Sequence, residues 1–293
     1  MKNLTTGTAL LIALASTGAH AQTATINGIV QLDFSTTSGG SSFKLGLADF
    51  GGDVSFGATD SGLTFGIEYD AYAVAGGGLP ISGSYALSAF VQSGNQRLNI
   101  GAPLSAYSRF APETVFNTNA YLGATLLPGT SFSVSRFIQM NGDVLPLGVR
   151  YDGEFGAFSL SASVLRHTSG TIYALAGEYD MGKVQVSAGY EGVISAPGPH
   201  NAYVQVAGQV GNGRYLARIS DRKFIMGAVV TELSYLHDFS DKFSAGAGYI
   251  YSASGGSIYG LNATYDFGPA YIRGSVYGAA GSTLATIGIG SAF

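Results

Sequence analysis

Cysteine and tryptophan are absent from this chain of 293 residues. Without cysteine there is no disulfide framework and no thiolate metal site. Charge is scarce as well, at 11% of residues against about 25% in an ordinary globular protein. No basic stripe suited to nucleic acid, no phosphate-binding loop and no metal-ligand cluster stands out, and no cofactor is implied. The four histidines, His20, His167, His200 and His237, are far apart. They offer no oriented base for a serine nucleophile, so a hydrolase is the weakest of the functional readings. Long apolar runs are missing too. Mean hydropathy is +0.25, yet no window approaches the ~18 uninterrupted apolar residues of a membrane helix. A chain this apolar needs another way to place its hydrophobic surface.

What the chain does have is glycine (44 residues), tyrosine (18) and phenylalanine (17), arranged with a period of two. In Val54 to Tyr72, Val54, Phe56 and Ala58 alternate with small polar residues before Asp60-Ser61-Gly62. Leu63, Phe65, Ile67 and Tyr69 alternate with Thr64, Gly66, Glu68 and Asp70 after it. That is a hairpin with one apolar and one polar face, and it needs neighbours to be stable. Similar alternations recur to the last residue, whereas helical periodicity is not sustained beyond the N-terminal segment. Short turns are expected near Asp60, Gly94, Gly153, Met181, Asn212, Asp238 and Gly268, with Asp152 placed in one of them. Longer Ser/Gly-rich links are expected at Ser35 to Ser42, Gly76 to Pro80 and Ile194 to His200. Phe155, Tyr179, Tyr235, Phe243, Tyr265 and Phe267 cluster beside the short turns, placed to form an interfacial girdle.

The N-terminus reads as an export signal. Lys2 precedes the short apolar core Ala9 to Ala15, and Ala19-His20-Ala21 forms an Ala-x-Ala cleavage site before Gln22. The expected organisation is therefore a cleaved segment, 1–21, and a single domain, 22–293. Losing Lys2 leaves 13 basic and 18 acidic residues, a formal charge of −5.

Parity separates a membrane barrel from a soluble sandwich. If the apolar parity faces lipid, strand charges must fall on the other, because a charge at the bilayer midplane costs roughly 2–4 kcal/mol. Asp33, Glu68, Asp70, Arg150, Glu178, Glu191, Arg214, Arg218, Glu232 and Arg273 do so. They are the candidate lumen charges. The same parity is rich in Gly, Ser, Thr and Gln, which suits water better than a packed core. The fold class expected is all-β, a transmembrane antiparallel up-and-down barrel.

Several stretches resemble the general porins of the Gram-negative outer membrane, of the Rhodobacter-like type. Gly57-Ala58-Thr59-Asp60-Ser61-Gly62-Leu63-Thr64-Phe65-Gly66 is similar to an early hairpin of that family. Tyr151-Asp152, followed by Phe155 to Ser163, is similar to a later one. The ending, Ile287-Gly288-Ile289-Gly290-Ser291-Ala292-Phe293, resembles the terminal strand whose last Phe is read by the barrel-assembly machinery, although Ser291 replaces a common aromatic. The resemblance implies sixteen strands, a homotrimer in outer-membrane lipid, and a long third loop folded into the pore. It implies a water-filled channel for passive diffusion of small hydrophilic solutes and ions, with no enzymatic activity. A sugar-selective channel and a purely structural barrel stay open, and Tyr271 and Tyr277 beside Arg273 could line a sugar slide or pack the rim.

The stretch matching the third loop is Pro103 to Leu145. Within it, Tyr121 to Ile138 could instead be an extra hairpin, which would give eighteen strands. The family pattern of acids on the loop facing bases on the wall makes Arg109, Glu113 and Asp143 the constriction candidates. Asp33, Glu68 and Asp70, however, make the early wall acidic.

Overall fold

The computed structural model describes residues 23–58, 62–76, 79–111, 133–142, 144–194, 200–222, 227–279 and 281–293. The first strands are β1 (Thr23–Thr37), β2 (Ser42–Ala58), β3 (Leu63–Gly76), β4 (Leu79–Ser93) and β5 (Gln96–Ala102). After a 3-10 turn (Ala106–Ser108) and a short helix, α1 (Val134–Met140), come β6 (Leu147–Phe155), β7 (Phe158–His167), β8 (Gly170–Asp180) and β9 (Val184–Val193). The remainder are β10 (His200–Val210), β11 (Gly213–Arg222), β12 (Ala228–Ser240), β13 (Phe243–Ser252), β14 (Gly256–Asp266), β15 (Tyr271–Ala279) and β16 (Ser282–Ala292). Each strand pairs antiparallel with its sequence neighbours, and β1 pairs with β16, so the sixteen close into a barrel. Closure leaves no free sheet edge between first and last strands. Phe293 extends the seam, exchanging backbone hydrogen bonds with Gly28 at 2.8 and 3.0 Å.

Strand β5 pairs directly with β6, and the closed sheet has sixteen strands with none between these two. That excludes the eighteen-strand alternative, and the end of the supposed extra hairpin is helix α1. The connections between even and odd strands define a turn end; those between odd and even strands define a loop end. At the turn end the Asp-x-Gly sequences act through their side chains. Asp180 Oδ1 accepts from the Gly182 N–H (2.7 Å) and Asp266 Oδ1 from the Gly268 N–H (2.6 Å), with both glycines at positive φ.

Two turn and loop expectations need correction. Strand β6 runs through Asp152 to Phe155, so Asp152 is a wall residue and not part of a turn. The Ser35 to Ser42 and Gly76 to Pro80 links are shorter than expected: Ser35 pairs with Phe43 and Thr36 with Ser42, leaving 38–41 as the link, and only 77–78 separate β3 from β4. Strands β1 to β4 are consequently long, at 14 to 17 residues, whereas β5 has 7.

The two faces have opposite chemistry. Outside, Val30, Leu32, Phe34, Leu175, Val204, Ile219, Leu261 and Ile287 are exposed. The girdle aromatics Phe155, Tyr179, Tyr235, Phe243, Tyr265 and Phe267 are exposed beside the turns. Tyr85, Tyr173, Tyr190, Tyr251 and Tyr259 form a second exposed row toward the loop end. Inside, Gln31, Asp33, Ser35, Ser161, Ser163, Asn201 and Gln205 are buried. The inner face is not polar throughout. Near the loop end Val230, Ile250, Tyr277 and Leu284 form one apolar cluster, and Leu45, Leu47, Tyr72 and Val74 another, with Met140 of α1 packed on the second.

Part of the glycine excess has a packing cause. Inner-face rings lie flat across glycines of the next strand: Tyr203 over Gly189, Phe90 over Gly66, Tyr277 over Gly260 and Tyr271 over Gly290. A Cβ at any of these glycines would run into the ring.

Candidate functional site: the inner wall and the segments laid against it

The inner wall carries its charges as pairs. Arg97 on β5 has the parity opposite to outward Leu98 and Ile100. It contacts Asp53 of β2 (3.0 Å) and Glu68 of β3 (2.9 Å), and its guanidinium lies 3.6 Å from the Phe90 ring centroid. Arg150 on β6 is 1% exposed and donates to Glu68 (2.8 Å), to Asp152 (2.9 Å) and to the Leu104 carbonyl (3.3 Å). Asp152 also accepts from Asn99 and Ser161. This ladder joins β2, β3, β5, β6 and β7 on one face. Removing one partner of so buried a set leaves an uncompensated charge, at a cost of about 3–5 kcal/mol.

Helix α1 lies against the same arc. Beyond Leu87, β4 runs past the end of β5. There the Tyr85 N–H donates to Gln139 Oε1 (2.9 Å) and Ser82 Oγ donates to the Met140 carbonyl (2.8 Å). The helix thus supplies hydrogen-bond partners to β4 where β5 has ended. Its Arg136 is ion-paired to Asp70 and reaches Asp49 at 4.0 Å. Burial works against the Arg136 charge, but the two carboxylates outweigh it and raise its pKa. At its other end, the Val134 N–H donates to Glu191 Oε1 on β9 (2.7 Å), and Ser135 bonds His167 on β7 (2.9 Å). Seven residues therefore tie β2, β3 and β4 to β7 and β9.

A second anchored segment follows β5. Ala106 and Tyr107 are fully buried against Ala174 and Tyr203, with the two tyrosine rings edge-to-face at 5.0 Å. The Ala106 N–H donates to Ser163 Oγ (3.0 Å). Phe110 offers its carbonyl to Ser187 (3.1 Å) and Gln205 (2.6 Å). Arg222, itself fully buried, donates to the Tyr107 hydroxyl at 2.6 Å. Burial pushes that hydroxyl up to about 12 while Arg222 acts in the opposite direction, so it stays neutral in any ordinary medium. Ala106 and Tyr107 are pressed to the wall, and Arg109, two residues on, is exposed. It has no ion pair among the described residues, unlike the arginines of the ladder.

The wall candidates are distributed as follows. Glu68 and Arg150 meet each other, and Asp70 meets Arg136. Buried Arg218 lies 3.7 Å from buried Glu232 and donates to Gln205 (2.8 Å). Asp33 accepts from Gln31 (2.6 Å), whose carbonyl takes hydrogen bonds from Arg273 and Tyr271. Glu191 is fully buried and accepts from Asn201 (2.8 Å) as well as Val134. Glu178 and Arg214 stand near the turn end, where Arg214 pairs with Asp238 at 3.5 Å. Glu113 and Asp143 lie outside the described residues. The acid-on-loop, base-on-wall pattern is inverted at α1, because the helix brings the arginine and the wall brings Asp49 and Asp70. Asp49, Asp53, Arg97 and Arg222 escaped the sequence reading although their strand parity marks them as inward. Tyr107 and Arg136 carried no periodic signal.

Tyr271 and Tyr277 are buried, at 6% and 2% exposure, so neither offers an open surface for sugar rings. Ser135 and His167 form a serine–histidine contact, but at 4% and 2% exposure no substrate carbonyl reaches them. Among the described residues there is no group of three or more metal-ligating side chains.

An apolar outer face of this extent is stable in lipid and not in water, and closure of the barrel pairs every strand with a neighbour on each side. No protein-family model matches the chain. No curated protein sequence matches it significantly. Solved structures do. Two mutants of Rh. blastica porin superpose with TM-scores of 0.68, at 15% identity, covering 92% of this chain and 100% of theirs. A triple mutant of Rhodopseudomonas blastica porin superposes at 0.64 with the same identity and coverage. The chain thus has the sixteen-strand barrel fold of these porins.

Proposed function

We propose that this protein is an outer-membrane porin, a non-enzymatic, water-filled channel through which small hydrophilic solutes and ions diffuse passively. The observation that carries the reading is a closed barrel, apolar outside and polar inside, with the segments flanking 112–132 hydrogen-bonded to its inner wall. A barrel of this strand number encloses an aqueous channel unless it is filled. The 103–146 connection is the constriction, with Arg109 exposed on it and Glu113 and Asp143 as its further charges. Residues 1–21 direct export and are removed, the barrel inserts through recognition of Phe293, and three copies associate in the outer-membrane lipid. The burial of Tyr271 and Tyr277 favours a general channel over a sugar slide.

Proteoliposome swelling tests this directly. Vesicles holding the purified protein should swell in isotonic arabinose faster than in a trisaccharide, while protein-free vesicles do not swell. Equal, protein-independent rates would refute the channel.

A further inference from the structure

The outer wall carries an open groove of about 690 Å³ across β13 to β16 and β1. Its small lining residues include Ala285, Gly274, Ala263 and Ala245, and a Cβ added at Gly274 would meet open space. Phe34, Ile287, Val276 and Leu261 supply its bulk. One row of cross-strand partners follows it: Phe34, Ile287, Gly274, Ala263 and Ala245. The row begins three residues from the loop end of β1 and finishes two residues from the turn end of β13. The groove therefore slopes down the wall from the loop end.

Outward charge is confined to that same end. Among the described strand residues, the Asp, Glu, Lys and Arg side chains of outward parity are Lys44, Arg166 and Asp221. Each is a neighbour in sequence of a buried inward residue: Leu45, Leu165 and Ser220. Each also lies within three residues of the loop end of its strand. Asp221 is engaged by His200 at 3.3 Å. Lys44 and Arg166 are exposed and have no ion pair among the described residues. A charge on the lipid face costs least near the interface, so these two stand at headgroup level. Lys44 Nζ is 5.4 Å from the centroid of the Phe34 ring, at the upper end of the groove.

We infer that the groove is a lipid site: it takes one acyl chain of an anionic, phosphate-bearing lipid whose headgroup is held by Lys44. This goes beyond the channel reading and rests on its placement of the outer face in lipid. Four strand spacings at ~4.8 Å make the groove about 19 Å long. With strands tilted about 35–45°, it descends by roughly 11–13 Å. One leaflet is half of a ~30 Å hydrocarbon core, so a chain starting at Lys44 stays within the leaflet at the loop end. A second barrel fits less well. Its convex wall would bridge the banks and leave the groove empty, forfeiting the contacts of the apolar lining. A slender flexible chain fills it.

The test uses the absence of tryptophan from the chain. Leu261→Trp, midway along the groove, gives a single reporter whose emission is quenched on contact with brominated acyl chains. The protein is refolded into phosphatidylcholine vesicles holding a minor fraction of brominated phosphatidic acid or of brominated phosphatidylcholine. The association constant from quenching should be about fivefold higher for phosphatidic acid, the equivalent of ~1 kcal/mol for one lysine at an anionic headgroup. Lys44→Gln should abolish that preference, and Ala285→Phe, which fills the groove between Lys44 and the reporter, should do the same. Arg166→Gln, on the far side of the barrel, should leave it intact. Equal quenching by the two lipids, or a preference that survives both groove variants, overturns the inference. Quenching by neither lipid assigns the groove to a second copy and overturns it as well. Conductance steps from the same preparation keep the channel reading standing in each of these cases, whereas protein that does not enter the vesicles overturns both.

Discussion

Leu261 is the sixth of eleven residues in β14, is 65% exposed on the outer face, and is flanked there by Ala247 and Val276. Those positions put it near the bilayer midplane if the apolar face meets lipid. Leu261→Arg should then cost about 2–4 kcal/mol, a fall of about thirtyfold to sevenhundredfold in the folding equilibrium at ~1.4 kcal/mol per factor of ten. Leu261→Ala removes apolar contact without adding charge and should cost only about 1–2 kcal/mol, so the difference isolates the charge. Gln185 on β9 is exposed on the inner parity, one residue from outward Val186. Gln185→Arg should stay within about 0.5 kcal/mol of the parent. The assay is urea unfolding of protein refolded into phospholipid vesicles, read as the fraction with folded-barrel mobility on unheated gels. Equal losses for Leu261→Arg and Gln185→Arg would refute the assignment of faces, and with it the membrane register of every strand.

Two further outcomes follow from the anchoring contacts. Arg136→Ala strips Asp70 and Asp49 of their partner on α1 and should give larger, noisier open-channel currents, with Arg136→Lys intermediate; unchanged currents would show that α1 is held without the ion pair. Deleting Phe293 removes its two backbone hydrogen bonds to Gly28 and the proposed assembly signal together. The truncated protein should be depleted from outer-membrane fractions, and parental levels there would contradict the role given to that residue.

Strand identity and facing were legible because both depend on a local period of two. The alternation around Val54 to Tyr72 placed Glu68 and Asp70 inward, and the same reasoning placed Asp33, Glu191, Arg218 and Glu232. Strand length was less legible. Ser35 to Ser42 has a loop-like composition, yet Ser35 and Thr36 complete a ladder with Phe43 and Ser42, because cross-strand pairing outweighs weak propensity. Asp152 looked like turn chemistry beside Gly153 and became a wall acid because Arg150, Asn99 and Ser161 all reach it. Helix α1 was the least legible element. Seven residues are too few to be stable alone, and its contacts lie far off in sequence: Arg136 with Asp70, Val134 with Glu191, Ser82 with Met140. Inward apolar residues such as Leu45, Val74 and Ile250 were missed for a related reason. Parity reports which way a side chain points and says nothing of what covers it.

The most direct test of the central claim is the single-channel conductance of the purified protein in a planar bilayer at 1 M KCl. An open sixteen-strand barrel predicts discrete, long-lived steps that are ohmic at this salt and grouped in threes for a trimer. A membrane that stays electrically silent after confirmed insertion would contradict the channel and leave the fold as a purely structural barrel.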